Sequence, residues 1–216
     1  MPQSSGMQPT HKTDIGVLLF DVGGVLVQLS GIETMLAWLG STITAEELWI
    51  RWLRSDSVRQ FETGRTQASE FALSVTREFG LDIEPARFLE SFEGWPIGLY
   101  PGVMEMLARI PARYRRALLS NSNALHWPRL SNDMGLGAVF EHQFVSHLTG
   151  KIKPDSAAFE DVVNSLGCSP RQVLFIDDNM LNVEAAKSFG MHAARAVGPI
   201  EAQRVLTDFG IIDEHP

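Results

Sequence analysis

The feature that most constrains the fold is a short apolar run that ends in a carboxylate followed by a glycine pair. Residues 16–20 are mainly apolar, Asp21 follows directly, and Gly23 and Gly24 come shortly after. A run this short and apolar is typical of a buried parallel strand, and glycine lets the backbone turn sharply beside the acid. The pattern predicts a strand that presents Asp21 at its carboxyl end, where open α/β sheets form their ligand sites.

A second run ends in the same way far along the chain. Residues 173–176 are apolar, and Asp177 and Asp178 follow them. If both runs are neighbouring parallel strands, Asp21 and these two acids meet at one edge of the sheet. Two carboxylates about 4 Å apart repel by roughly 4 kcal/mol at an effective dielectric constant of about 20. The pattern therefore predicts a divalent cation with oxygen ligands at this edge.

Short apolar runs alternate with helical patterns along most of the chain. The runs that fit buried strands are 16–20, 117–120, 143–146, 173–176 and 192–197. Strands that alternate with helices are typical of a doubly wound, Rossmann-like parallel sheet, so the predicted fold class is α/β.

The first two runs are separated by almost a hundred residues, although an ordinary crossover needs only about a dozen. Residues 31–97 of this interval contain amphipathic helical patterns and no credible strand, so we predict that they form a small helical cap. The α/β core would then consist of residues 15–30 and 98–216. Residues 1–14 are polar and lack periodicity, which predicts a disordered tail.

The composition indicates a soluble globular protein. The chain has 216 residues, 44% of them hydrophobic, and a formal net charge of −8. That charge opposes nucleic-acid binding, and the sequence contains no apolar stretch of the membrane-spanning or signal-peptide type. One cysteine excludes an internal disulfide and fits a reducing compartment. We expect a cytoplasmic protein without a nucleic-acid or membrane partner; the sequence does not indicate its oligomeric state.

Four short motifs occur in the order expected of one enzyme family, at residues 21–26, 119–121, 151–155 and 175–179. Over about residues 15–198, they resemble the motifs of the haloacid dehalogenase-like superfamily of phosphatases. Longer strings at 120–126 and 177–186 look like the subgroup that contains bacterial α-glucose-1-phosphate phosphatase and the N-terminal phosphatase domain of soluble epoxide hydrolases. The resemblance implies a magnesium-dependent phosphomonoesterase of a small phosphorylated metabolite, with a sugar phosphate as the expected substrate.

The resemblance also implies roles for individual residues. Asp21 would attack phosphorus and form an aspartyl-phosphate, which divides hydrolysis into two easier steps. Lys153 would neutralise the crowded carboxylates and contact a phosphate oxygen. The phosphate-binding residues would be Ser120, Asn121, Gly24 and Lys153. The metal ligands would be Asp21, Asp178 and the carbonyl of Gly23, with Asp177 either a further ligand or a residue that orients the ligands. Simpler structural roles remain open for two pairs of residues. Asp177 and Asp178 could form a helix N-cap pair, and Ser120 and Asn121 could be ordinary turn residues.

Gly23 stands where most phosphatases of this superfamily carry a second aspartate. That acid protonates the leaving group, and losing such a group lowers the rate by about 10²–10⁴. Three interpretations remain open. His126, just beyond the Ser120 loop, could supply the proton; the substrate could carry a good leaving group; or the protein could be a catalytically weak relative that binds phosphorylated ligands. A metal-independent 2-haloacid dehalogenase is the alternative enzyme, because those relatives also lack the second aspartate.

Overall fold

The computed structural model describes residues 14–40 and 43–213. The predicted tail of residues 1–14 lies outside these ranges except for Asp14, so it stays a prediction. Within the described ranges, every helix is too short or too polar to cross a lipid bilayer.

The apolar runs form the sheet that the sequence predicts. The strands are β1 (Val17–Phe20), β2 (Val27–Leu29), β3 (Pro96–Leu99), β4 (Arg115–Ser120), β5 (His142–Val145), β6 (Val173–Asp177) and β7 (His192–Arg195). Five of them form one parallel sheet in the order β5-β4-β1-β6-β7. Strand β1 is central and fully buried. Because β4 and β6 flank it, the carboxyl ends of these three strands meet at the edge where doubly wound sheets bind ligands.

Helices cover both faces of this sheet. The helices are α1 (Gly31–Trp38), α2 (Ala45–Arg54), α3 (Asp56–Glu62), α4 (Ala68–Phe79), α5 (Pro85–Glu93), α6 (Val103–Ala108), α7 (Leu136–Val139), α8 (Ser146–Thr149), α9 (Ser156–Leu166), α10 (Met180–Phe189) and α11 (Gly198–Asp208). Alternate residues of β1 point to opposite faces. Leu18 and Phe20 pack in the same core as α6 and α11, whereas Val17 and Leu19 pack with α9 and α10. The predicted doubly wound α/β fold is confirmed.

The inserted helices α1–α5 enclose an apolar core of their own, rich in aromatic rings such as those of Phe71, Phe88 and Phe92. An antiparallel pair of β2 and β3 lies where the chain enters and leaves these helices. The expectation that residues 31–97 contain no strand is wrong, because β3 begins at Pro96. Its four residues show no alternating pattern, and backbone pairing with β2 holds it. The domain limits at 31 and 97 stay a prediction.

Candidate active site

The nucleophile predicted from the sequence lies at the centre of the sheet edge. The backbone N–H of Asp21 donates a 2.8 Å hydrogen bond to the carbonyl of Ile176, which extends the β1–β6 pairing by one residue. Asp21 is therefore held beside Asp177, the last residue of β6. The two side chains are bridged by Lys153, whose Nζ lies 2.5 Å from Asp21 Oδ1 and 2.8 Å from Asp177 Oδ2.

The position of Lys153 is fixed through its backbone by a neighbouring strand end. The Asn121 side chain, just beyond β4, donates to the Lys153 carbonyl at 3.0 Å and accepts from the Lys153 N–H at 2.9 Å. Burial alone would lower the pKa of the Lys153 ammonium, but Asp177 and Asp21 raise that pKa above its usual value. Lys153 thus stays charged. Lys151 instead pairs with Asp161.

Three carboxylates form a group suited to a divalent cation. Asp21, Asp177 and Asp178 each offer one oxygen, and these atoms lie within 4.8 Å of one another. Burial raises the pKa of Asp21 to about 8, with further increases from Asp177 and Asp178 that Lys153 opposes. Burial and Asp177 raise the pKa of Asp178 to about 6. The raised pKa values reflect three acids crowded around one ammonium, and a hard oxygen set of this kind fits Mg²⁺, whose charge favours the ionised forms.

The two adjacent aspartates have different surroundings. Asp177 is fully buried, and its oxygens accept hydrogen bonds from the Asn179 N–H at 2.8 Å and from the Asn182 amide at 3.0 and 3.1 Å, besides the contact with Lys153. Asp178 lines the cavity and is partly exposed. Neither acid caps helix α10, because Asn179 occupies that position and accepts from the Leu181 N–H.

The loop after β1 leaves room for the side chain of Asp178. Gly24 has φ +76°, and a Cβ there would lie 2.2 Å from Asp178 Oδ2. Its N–H donates to the Val27 carbonyl and its carbonyl accepts from Gly198. The prediction that Gly24 binds phosphate is therefore not supported, because both of its backbone polar groups are engaged; it makes room for Asp178. Gly23 lines the cavity without a positive φ.

Small polar residues after β4 face the cavity from the other side. Ser120 ends β4, is buried, and lines the cavity together with Asn121 and Ser122. The Ser122 hydroxyl is buried without a hydrogen-bond partner among the described residues. An orphan hydroxyl at the cavity that Lys153 also lines is suited to donate to an anionic oxygen.

The surroundings of His126 do not suit the acid role predicted for it. Its Nε2 lies 2.6 Å from the carbonyl of Phe92, so this nitrogen carries the proton, and Nδ1 accepts from the Asn123 side chain at 3.2 Å. The ring also stacks on Phe92 with centroids 4.3 Å apart. Burial lowers the pKa of His126 to about 4. The imidazole is therefore neutral at pH 7, and it joins the core to cap helix α5.

Above the carboxylates, the cap and the core line a cavity of about 160 Å³. Its cap wall is mostly apolar and includes Met35, Leu48, Trp49, Trp52, Val58 and Trp95. The indole N–H of Trp95 is buried and has no hydrogen-bond partner in ranges 14–40 and 43–213. Glu62, the last residue of α3, brings a carboxyl group into this wall.

Sequence reasoning missed Glu62, Ser122 and Asn182. No motif of the core contains Glu62, and helical periodicity gave no reason to prefer it over the other cap acids. Ser122 lies within the motif segment 120–126, and Asn182 lies within the segment 177–186. Both residues follow strands whose carboxyl ends are predicted to lie beside that of β1. Their positions in the sequence could therefore have indicated that they belong to the site.

Comparison with known proteins identifies the family of this site. Residues 15–190 match the haloacid dehalogenase-like hydrolase family. Flavin mononucleotide hydrolase 1 of Arabidopsis thaliana is 25% identical over 214 residues, which cover 96% of this chain and 83% of that protein. A phosphoglycolate phosphatase of Pseudomonas syringae pv. tomato is 29% identical over 184 residues, 81% of this chain and 66% of that enzyme.

Two solved structures share the fold. The HAD family enzyme bt-2542 of Bacteroides thetaiotaomicron, in complex with magnesium and inorganic phosphate, has a TM-score of 0.65 at 23% identity, covering 84% of this chain and 93% of that one. The L-2-haloacid dehalogenase of Xanthobacter autotrophicus has a TM-score of 0.61 at 24% identity, covering 84% and 77%.

Proposed function

Because the chain belongs to the haloacid dehalogenase-like hydrolases, we propose that it is a magnesium-dependent phosphomonoesterase that forms an aspartyl-phosphate on Asp21. The observation that carries the proposal is the contact of one buried lysine, Lys153, with both Asp21 and Asp177 beneath a cavity. The names of the curated relatives, a flavin mononucleotide hydrolase and a phosphoglycolate phosphatase, support hydrolysis of a small phosphate ester.

The charge and position of each residue determine its proposed role in the reaction. Lys153 holds the Asp21 carboxylate by one oxygen, leaving its other oxygen to attack phosphorus. The ammonium and the hydroxyls of Ser120 and Ser122 are available to the equatorial phosphate oxygens, where charge is spread in the transition state. The phosphorus–oxygen ester bond breaks as the Asp21–phosphorus bond forms. Water then releases inorganic phosphate and regenerates the carboxylate.

The proposed ligands of Mg²⁺ are Asp21, Asp178 and the Gly23 carbonyl. Asp177 has the supporting role of orienting these ligands. When bound, the cation supplies positive charge that lets two dianionic partners, the acidic cluster and the phosphate, approach each other. Asp178 suits direct ligation because its carboxylate lines the cavity. The four hydrogen-bond contacts that Asp177 accepts suit it to a supporting role.

The cavity favours an ester whose alcohol part is apolar or aromatic. Hydroxyl groups buried against its apolar cap wall would each lose hydrogen bonds to water at a cost of about 1–3 kcal/mol. The orphan indole N–H of Trp95 offers a donor for one acceptor atom. The sugar phosphate expected from the sequence stays a prediction, and we place an aromatic or branched aliphatic phosphate ahead of it.

A metal-independent 2-haloacid dehalogenase is the second candidate, favoured by the absence of an acid at Gly23. The carboxylate group argues against it, because the acids would repel an anionic haloacid without serving displacement at carbon. Parallel assays separate the two functions. We expect phosphate release from 4-nitrophenyl phosphate with Mg²⁺ and none in EDTA; chloride release from 2-chloropropionate in EDTA, without phosphate release, would establish the dehalogenase instead.

A further inference from the structure

Glu62 is a carboxyl group in the active-site cavity that takes no part in the lysine–carboxylate cluster. It is half-buried at the end of α3 and lines the same cavity as Asp21 and Lys153. None of the ion pairs between described residues includes it. The Trp52 side chain and the positive charge of Lys153 both act on its carboxyl group.

Several charged or titratable groups share this cavity with Glu62, namely Asp21, Asp178, Lys153, Arg59 and His126. Burial raises the pKa of Glu62 to about 7, although Lys153 and the Trp52 side chain both lower it. A substantial fraction of Glu62 therefore carries a proton near neutral pH. The neutral His126 has its one N–H donated to a carbonyl.

The place of Glu62 on the cap matches the direction in which a leaving group departs. Asp21 attacks from the floor of the cavity, at the end of β1. In phosphoryl transfer the attacking and leaving oxygens are roughly in line, so the leaving oxygen faces away from the floor and toward the cap. Glu62 belongs to the cap side and lines the same cavity.

Two contacts hold the end of α3 over the core. Arg59 of α3 pairs with Asp155, which follows the Lys153 loop. Two residues beyond Glu62, Gly64 packs so tightly on the core that a Cβ there would lie 2.7 Å from the carbonyl oxygen of His147. The carboxyl group of Glu62 thus stands on a segment fixed relative to Asp21.

We propose that Glu62 is the general acid and base of the reaction, supplied by the cap in place of the acid that is missing at Gly23. This inference rests on the proposed phosphomonoesterase function. In the first step the electron pair of the breaking phosphorus–oxygen bond stays on the leaving oxygen, which takes the proton of Glu62 and departs as the alcohol. In the second step water attacks the aspartyl-phosphate, gives its proton back to Glu62, and forms inorganic phosphate while the Asp21 carboxylate is released.

A matched pair of esters tests the proposal with the full-length enzyme and Mg²⁺. The substrates are 4-nitrophenyl phosphate, whose leaving group needs no proton, and 4-nitrobenzyl phosphate, whose leaving alkoxide does. We expect Glu62→Gln to lower kcat/KM for the benzyl ester by about 10²–10⁴ and for the phenyl ester by less than about tenfold. The control is Glu70→Gln, which removes an exposed cap carboxylate in α4 and should leave both values unchanged.

The outcomes separate this inference from the proposed function. Equal losses on both esters, or no loss on the benzyl ester, would overturn the acid–base role of Glu62 while leaving the phosphatase intact. If the wild-type protein hydrolyses neither ester, the proposed function itself fails.

Two further measurements guard against a variant that does not fold. In the wild-type enzyme, kcat/KM for the benzyl ester should fall as the pH rises through about 7, relative to the phenyl ester; parallel profiles would overturn the proposal.

In the Glu62→Gln background, Gly23→Asp should restore benzyl-ester hydrolysis. The backbone at Gly23 is not left-handed, and the new Cβ would meet only the flexible tip of Leu29, so the site accepts a side chain. Failure of a folded double variant to recover activity would also contradict the proposal.

Discussion

At the scale of single residues, the two adjacent aspartates are predicted to differ in function. Asp178 faces the cavity, whereas Asp177 accepts buried hydrogen bonds from Lys153, Asn179 and Asn182. Asp178→Ala should therefore weaken Mg²⁺ binding much more than Asp177→Ala, and it should not destabilise the metal-free fold, because it relieves repulsion among carboxylates. Calorimetric titration with Mg²⁺ measures the first effect.

Asp177→Ala should instead lower the free energy of unfolding in EDTA by about 3–5 kcal/mol, because it leaves a buried lysine without one of its partners. Asp177→Asn serves as the second variant if the alanine form does not fold. Equal losses of Mg²⁺ affinity in the two alanine variants would mean that both acids are direct ligands. Unchanged affinity in both would remove the cation site from this pair.

At the scale of secondary structure, the end of α3 depends on one glycine. Gly64 has φ +71° and Gly80, at the end of α4, has φ +67°, but only the Cβ position of Gly64 meets a backbone atom. Gly64→Ala and Gly80→Ala should each cost about 1–2 kcal/mol for the left-handed backbone. Gly64→Ala should in addition lower kcat/KM for phosphate esters, because it pushes Glu62 and α3 away from the core.

Denaturant unfolding together with steady-state kinetics compares the two glycine variants. Identical kinetic parameters in Gly64→Ala and Gly80→Ala would show that the contact with the His147 carbonyl does not set the position of α3. The comparison is matched because the backbone strain is nearly the same at both positions.

The sequence predicted the sheet strands well because β1 and β6 are short and fully buried, and both are apolar except for Asp177 at the end of β6. It missed β2 and β3, which are held by pairing with each other and carry no strong apolar pattern. The same contrast applies to the site. Residues at strand ends, such as Asp21, could be grouped from the strand pattern alone. Glu62 could not be assigned to the site from the sequence, because its position there depends on how the cap packs on the core.

At the scale of the whole molecule, the apolar cap wall above a charged floor predicts substrate preference. Benzyl phosphate and glucose 6-phosphate both have primary alkyl leaving groups, so their need for a proton is similar. We expect kcat/KM to favour benzyl phosphate by at least about tenfold, since a single unpaired hydroxyl costs about 1–3 kcal/mol. Trp52→Ala should reduce that preference. A preference for the sugar ester would show that the cavity wall does not select the alcohol part.

The central claim is that Asp21 is the nucleophile of a cation-dependent phosphatase. The most direct measurement is the rate of 4-nitrophenyl phosphate hydrolysis by the wild type, by Asp21→Asn and by Asp82→Asn, each with Mg²⁺ and with EDTA. Asp82 is an exposed cap residue and gives a matched control. We expect Mg²⁺-dependent turnover by the wild type and by Asp82→Asn, and none by Asp21→Asn, because an amide is a poor nucleophile and a weak cation ligand. Wild-type turnover by a folded Asp21→Asn, purified free of other phosphatases, would contradict the claim.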